Sequence, residues 1–237
     1  MNELWNNVAG RAGVVLTEEQ HGKLGKYLDL LIAGNERMNL TRITDRAAAE
    51  VQHVGDGLTV LPYLPAGGIR VADVGSGGGV PGVVMAIARP EMKVVLIEAT
   101  KKKAAFLKEA VAALELSNVE VLDWRVEDVG QEAGYREKFD VATARAVATI
   151  DWLAEWCLPL AKKGGKVLLM KGPRHAEELM EAERAIRFLG GGVVEVHRVE
   201  ALPGADYLVV VEIPKVRLTD RRYPRAASAA KGNPVQG

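Results

Sequence analysis

The stretch Val71-Ala72-Asp73-Val74-Gly75-Ser76-Gly77-Gly78-Gly79-Val80-Pro81-Gly82 leaves a chain few ways to fold. The apolar run from Ile69 to Val74 reads as a buried strand. The glycines after it let the backbone turn sharply and let a ligand approach closely. Pro81 stands where the first turn of a helix begins, and Val83 to Ala88 continues it. Proline suits that place because its missing N–H would have no intrahelical partner. Strand, glycine turn and helix N-terminus together make a nucleotide-sized pocket at the carboxyl end of a parallel sheet.

The loop alone does not name its ligand. Gly77-x-Gly79-x-x-Gly82 matches the dinucleotide fingerprint. Asp73-x-Gly75-x-Gly77-x-Gly79 matches the pattern of S-adenosylmethionine (SAM) methyltransferases. A tight turn that binds nothing is the remaining alternative.

The segments that follow alternate strand and helix: a strand at 93–98, a helix at 101–116, strands at 119–122 and 139–144, a helix at 150–160, a strand at 166–170 introduced by Gly164-Gly165, and a helix at 175–189. Such alternation predicts a parallel, doubly wound α/β sheet. The end departs from it. Val193–Val199 and Tyr207–Ile213 are separated by Pro203-Gly204 with no helix, which reads as an antiparallel hairpin. That closure is the arrangement of a Rossmann-like class I SAM methyltransferase, whereas a dinucleotide fold would carry a second βαβ half.

Residues 3–64 read as a helical extension. Thr17 and Gln20 have capping-box spacing, and Leu24, Tyr27, Leu28, Leu31 and Ile32 follow at helical spacing. Asp45 or Thr44 can cap a further helix carrying Val51, Val54 and Leu58. Pro62, Pro65, Gly67 and Gly68 mark a boundary. The expected organisation is therefore a helical region at 1–66, the main domain at 67–214 and an irregular tail at 215–237. The tail carries Lys215, Arg217, Arg221, Arg222, Arg225 and Lys231 against Asp220 alone.

Formal net charge is zero, so nucleic-acid affinity must come from a local patch. The single cysteine, Cys157, excludes an intramolecular disulfide and multi-cysteine metal sites; it reads as a buried apolar residue, and no metal site is expected. No apolar stretch is long enough to span a membrane, and the N-terminus lacks signal-peptide features; a cytoplasmic protein, and a monomer, are expected.

Glu98, at the end of the second strand, is placed to accept hydrogen bonds from both ribose hydroxyls of an adenosine-containing ligand. Asp73 lies within an apolar strand, where it needs the loop backbone or a ligand ammonium group as a partner. Arg145, between Ala144 and Ala146, can bend into the pocket and hold a carboxylate, a phosphate or the O6 edge of a guanine. Lys171 is a second cation on the same sheet edge. No Asn-Pro-Pro-Tyr follows the fourth strand, Cys157 lacks the preceding proline of cytosine C5 enzymes, and no acid/base pair or nucleophile triad is evident. A nucleophile with a free lone pair, such as guanine N7, needs none; alignment of the two reactants could then supply most of the acceleration.

Asn39-Leu40-Thr41, the loop DVGSGGGVPG, Arg125-Val126-Glu127, Ala144-Arg145-Ala146, Met170-Lys171-Gly172 and Arg222-Tyr223-Pro224-Arg225 together resemble the RsmG (GidB) family of bacterial small-subunit rRNA guanine-N7 methyltransferases. The resemblance runs from about residue 35 to 234. It implies SAM as methyl donor and a guanine in the 530-loop region of 16S rRNA, free or in the small subunit, as acceptor. It further implies that Gly75 and Val80 line the methionine side, Glu98, Ala99 and Thr100 the ribose side, Val126 and Glu127 the adenine, and Arg145 the edge near the methyl; Gly77 and Gly79 of the loop are expected at the cofactor as well. Around His53 this chain reads Val54-Gly55-Asp56-Gly57 in place of the family's Leu-Asp-Ser-like stretch, and no substrate role is read for that helix. The tail is expected to meet phosphate, with Tyr223 stacking a base, whereas Lys101, Lys102 and Lys103, opening an exposed helix, read equally as phosphate contacts or as a solvated face. Two other readings stay open: a non-catalytic RNA-binding module that keeps the fold, and an NAD-dependent oxidoreductase.

Overall fold

The computed structural model describes residues 2–200, 202–205, 207–230, 233 and 235. Its centre is a seven-stranded sheet made of β1 (Arg70–Val74), β2 (Lys93–Ile97), β3 (Val119–Leu122), β4 (Phe139–Arg145), β5 (Ala161–Lys171), β6 (Glu195–Arg198) and β7 (Val209–Pro214). The order is β3-β2-β1-β4-β5-β7-β6. β1 to β5 pair in parallel; β7 lies antiparallel to β5, and β6 antiparallel to β7. The order reverses between β1 and β4, so their carboxyl ends open a crevice.

The strands are buried on both faces, and alternate residues feed two apolar clusters. Val71, Val94, Leu96, Val141, Leu168 and Val210 point into one. Ala72, Val74, Val95, Ile97, Ala142, Val167, Leu169 and Val211 point into the other. The first cluster is covered by α1 (Glu3–Gly10), α2 (Glu18–Met38), α5 (Gly82–Ala88) and α6 (Lys101–Ala113). It also takes in Ala49, Val54 and Leu58 from a short continuous run: α3 (Arg46–Ala49), a π-helical stretch at Glu50–Gly55 and α4 (Asp56–Leu58). The second is covered by α8 (Ile150–Cys157) and α9 (His175–Phe188), with Val129 of the short α7 (Val126–Val129).

The local signals act as expected. Thr17 and Gln20 form the reciprocal capping box of α2, and Asp45 caps α3 through the Ala48 N–H at 2.8 Å. Cys157 is fully buried, and burial pushes its thiol pKa up. β5 differs from the expected span. It begins at Ala161, pairs with Phe139, and carries Gly164-Gly165 inside it where the register shifts. A bulge absorbs the glycines that by sequence mark a strand start.

The tail is not a free basic arm. Lys215 is buried, donates to the Leu158 carbonyl at 2.6 Å and bonds the Thr219 hydroxyl. Burial pulls its pKa down to about 8. Arg136 donates to the carbonyls of Thr219 at 2.8 Å and Tyr223 at 2.6 Å, and Gln131 to that of Pro224 at 2.8 Å. Arg225 grips buried Glu155, and Arg217 bonds the Arg187 carbonyl at the end of α9. Lys215 and Arg225 are therefore structural and not phosphate contacts. Tyr223 is half-buried, with Phe188 edge-on to it and the Arg222 and Arg225 guanidinium groups near its ring. Arg221 and Arg222 stay exposed, and Lys231 lies outside the described residues. The short helix α10 (Ala227–Ala230) follows.

Candidate active site

The glycine loop leaves β1 with its shape held from three sides. The Gly75 and Ser76 N–H groups both donate to the Ile97 carbonyl, at 2.9 and 3.1 Å. Tyr27 of α2 donates its hydroxyl to the Gly78 carbonyl at 2.7 Å. Asp73 accepts from the Gly82 N–H at 3.2 Å, tying the strand to the start of α5, while Pro81 caps that helix. Gly75 has φ +68°, and a Cβ there would stand 2.7 Å from Val147. Only glycine meets both demands.

Asp73 sits behind the loop, 1% exposed, and its Oδ1 has no partner. Burial pushes its pKa up to about 7 against hydrogen bonds that pull the other way. Of the two partners foreseen for it, the loop backbone supplies the one for Oδ2.

Glu98 is also buried, and each oxygen accepts one backbone N–H: Oε2 from Gly77 at 3.0 Å and Oε1 from Thr100 at 2.7 Å. A carboxylate oxygen accepts about two hydrogen bonds. Glu98 is therefore fixed by the loop and keeps one acceptor site on each oxygen for a ligand.

In front of these groups lies a cleft of about 1270 Å³. It exceeds the range of roughly 300–1,000 Å³ usual for small-molecule sites. The room is sufficient for a nucleoside ligand and a second reactant. Eight expected residues line it: Gly75, Gly77, Val80, Glu98, Ala99, Val126, Glu127 and Arg145. Four do not. Asp73 and Thr100 act from behind, the latter through its N–H on Glu98, and Gly79 faces Val83, Tyr27 and Leu107. Lys171 is turned away, bound to the Ala148 carbonyl at 3.0 Å and to Glu178 at 2.6 Å.

The helical region supplies the opposite wall. Asn39, Leu40, Thr41, Arg42 and His53 line the cleft. Asn39 ends α2 in the left-handed region at φ 51°, which turns the chain back over the glycine loop. His53 shares a 3.0 Å hydrogen bond with Thr41 Oγ1, and its Nδ1 has no partner. Burial and then the Arg145 charge push its pKa down to about 4. Arg145, the last residue of β4, donates from Nε to Asp56 Oδ2 at 2.5 Å and from Nη2 to the Gln52 carbonyl at 2.8 Å. The helix to which the sequence assigned no role thus reaches the cleft through His53 and orients Arg145 through Asp56. Trp124, 43% exposed, and Trp156 also line the cleft. For Trp124 the signal was an aromatic two residues after β3 in a polar stretch; for Asp56 no local signal exists, because its partner lies 89 residues away.

The family model for GidB, rRNA small subunit methyltransferase G, matches residues 20–203. The chain belongs to this family. A ribosomal RNA small subunit methyltransferase G from Leuconostoc mesenteroides is 39% identical over 237 residues, covering 99% of both chains. One from Moorella thermoacetica is 40% identical, covering 94% of both. Among solved structures, a SAM dependent methyltransferase from Aquifex aeolicus aligns at TM-score 0.57 and 19% identity, covering 75% of this chain and 97% of that one. A 16S rRNA (adenine(1408)-N(1))-methyltransferase variant from Catenulisporales acidiphilia aligns at 0.53 and 17%, covering 64% and 87%. These last two likenesses concern the fold.

SAM is the cofactor of the GidB family, and the residues fit it. Glu98 keeps the two acceptor sites a ribose diol needs, the loop glycines leave its backbone open to the cleft, and the volume exceeds one ligand. The sheet closes with an antiparallel β7 between β5 and β6, and no second βαβ half is present among the described residues, which sets the oxidoreductase reading aside.

Proposed function

We propose that this chain transfers the methyl group of SAM to N7 of a guanine in the 530-loop region of 16S rRNA. The observation that carries the reading, beside family membership, is the pairing of a glycine-loop half and an Arg145 half within one cleft. SAM supplies a methyl group on a sulfonium centre, ready for displacement. Glu98 holds the ribose with Ala99 beside it, Val126 and Glu127 flank the adenine, and the backbone at Gly75 and Gly77 with Val80 bounds the methionine end.

Arg145 acts on the acceptor. Two of its five N–H donors are engaged by Asp56 and Gln52, and the rest remain for the O6/N7 edge of guanine. Guanine N7 carries no proton, so the site needs no general base. Its task is to hold the lone pair in line with the methyl group and to exclude water.

The rim receives the RNA. Arg42, Lys103 and Arg125 line the mouth with Trp124, an arrangement suited to phosphates and to one stacked base. This rim takes the role that the sequence assigned to the tail.

The decisive experiment offers labelled SAM and small-subunit rRNA, free and as particles, and identifies the product by nucleoside mass spectrometry. A 7-methylguanosine peak is expected, and the better substrate shows whether assembly matters. Label in another nucleoside overturns the base assignment. SAM binding without transfer to either substrate favours the non-catalytic RNA-binding alternative.

A further inference from the structure

Arg145 reaches the cleft from β4, but its direction is set by the helical region. The side chain of Asp56 is 8% exposed and that of Arg145 23%, so the pair is largely out of water. Burial raises the Asp56 pKa, and the Arg145 charge pulls it back down. His53, also within reach of the Arg145 charge, is kept neutral by its low pKa. Asp56 is thus the hydrogen-bonded counter-ion of Arg145; the Arg145 charge also reaches Asp73 on the neighbouring strand, but that carboxyl is bound to the Gly82 N–H, and Glu98 is bound to the loop.

The reaction makes that counter-charge matter. When guanine N7 is methylated, the N7 lone pair becomes the new N–CH3 bond. The S–CH3 bonding pair stays on sulfur, and no proton moves. One positive charge is present throughout and passes from sulfur to the purine ring. A bare guanidinium at this wall would repel that charge at every stage, the more so with water excluded. The same guanidinium is needed as a hydrogen-bond donor.

We propose that Asp56 is a positioning residue that resolves this conflict: it aims Arg145 at the acceptor base and cancels its charge, so that the cleft tolerates both a sulfonium and a methylated, cationic purine. The inference rests on the methyltransferase reading above. It separates Asp56 from ordinary packing, because a charge effect distinguishes SAM from S-adenosylhomocysteine, which lacks only the methyl group and its positive charge.

The test is calorimetric titration of each ligand into the wild-type protein, Asp56→Asn and the double variant Asp56→Asn/Arg145→Gln. Asparagine keeps an oxygen for the Arg145 Nε–H but no charge. Asp56→Asn is expected to weaken SAM about tenfold, which is about 1.4 kcal/mol, and S-adenosylhomocysteine less than about twofold. The double variant restores the wild-type ratio of the two affinities. In turnover, Asp56→Asn lowers kcat with little change in KM for RNA. Equal weakening of both ligands, or no change in either, overturns the inference. If Asp56→Asn does not fold, the double variant decides: a preserved ratio supports the inference, and a ratio shifted about tenfold overturns it. A wild-type protein that binds neither ligand overturns the methyltransferase reading and this inference with it, whereas normal wild-type binding with an unmoved ratio in Asp56→Asn overturns the inference alone.

Discussion

Arg225 forks onto Glu155, with Nε 2.8 Å from Oε1 and Nη2 2.6 Å from Oε2, while its own N–H adds a third bond at 2.9 Å. The Glu155 side chain is 1% exposed, so the tail supplies the partner of a buried charge on α8. Arg225→Ala strands that carboxylate. A loss of about 3–5 kcal/mol is expected in urea unfolding. Unchanged stability would return Arg225 to the surface role that its sequence context suggests.

The cationic rim and the exposed part of the tail give opposite expectations for RNA. Replacing Arg42, Lys103 and Arg125 by alanine lowers the salt slope of RNA binding by about one per phosphate contact removed. Replacing Arg221 and Arg222 leaves it nearly unchanged. Fluorescence titration over a range of salt distinguishes the two, and the reverse pattern places the RNA on the tail.

Arg145→Ala removes both a donor and the counter-charge of Asp56. Turnover is expected to fall about a hundredfold or more, as when one preorganised donor is lost. Stability falls too, by about 3 kcal/mol, because a buried carboxylate is left alone. Thermal unfolding beside single-turnover kinetics reads both, and full stability would show that the Asp56 charge is already solvated.

Gly82→Ala drives a Cβ into Leu96 Cδ2 and Asp73 Oδ2. A cost of about 1–3 kcal/mol is expected from overpacking. At Gly77 a Cβ meets nothing closer than the Gly75 carbonyl at 3.8 Å, yet φ is +55°. Gly77→Ala therefore costs about 1–2 kcal/mol through backbone strain alone. Equal unfolding free energies for wild type and both variants would show that the loop relaxes freely.

Two buried groups give stability opposite pH slopes in the ligand-free protein. Asp73 has a folded pKa of about 7, above the ordinary 3.8. Its native state holds the proton longer, so its contribution is complete at low pH and is lost as pH rises to about 7, by up to about 4 kcal/mol. His53 has a folded pKa of about 4, below 6.5, so its contribution is present above 6.5 and is lost as pH falls towards 4. Asp73→Asn should gain on the wild type as pH rises from 4 to 7, and His53→Gln should gain as it falls from 6.5 to 4. Melting temperatures across that range check both signs.

The amino-acid sequence by itself determined the strand-loop-helix at residues 69–88, the β-α alternation, the closing hairpin, and the placement of Glu98 and Arg145 at strand ends and of Val126 in the loop after the third strand. These features depend on the order of residues along a strand or turn, where apolar periodicity and glycine placement act locally. Only the tertiary structure decided what faces what. Lys171 shares a sheet edge with Arg145, but Glu178 of α9 draws it away from the cleft. The basic tail reads as an RNA arm until Glu155, Arg136 and Gln131 claim it. His53 and Asp56 carry no local signal, because their meaning comes from Thr41 and Arg145 on other segments of the chain. Charge partners are set by packing between distant segments, and a buried ion must find its counter-ion wherever the fold places one.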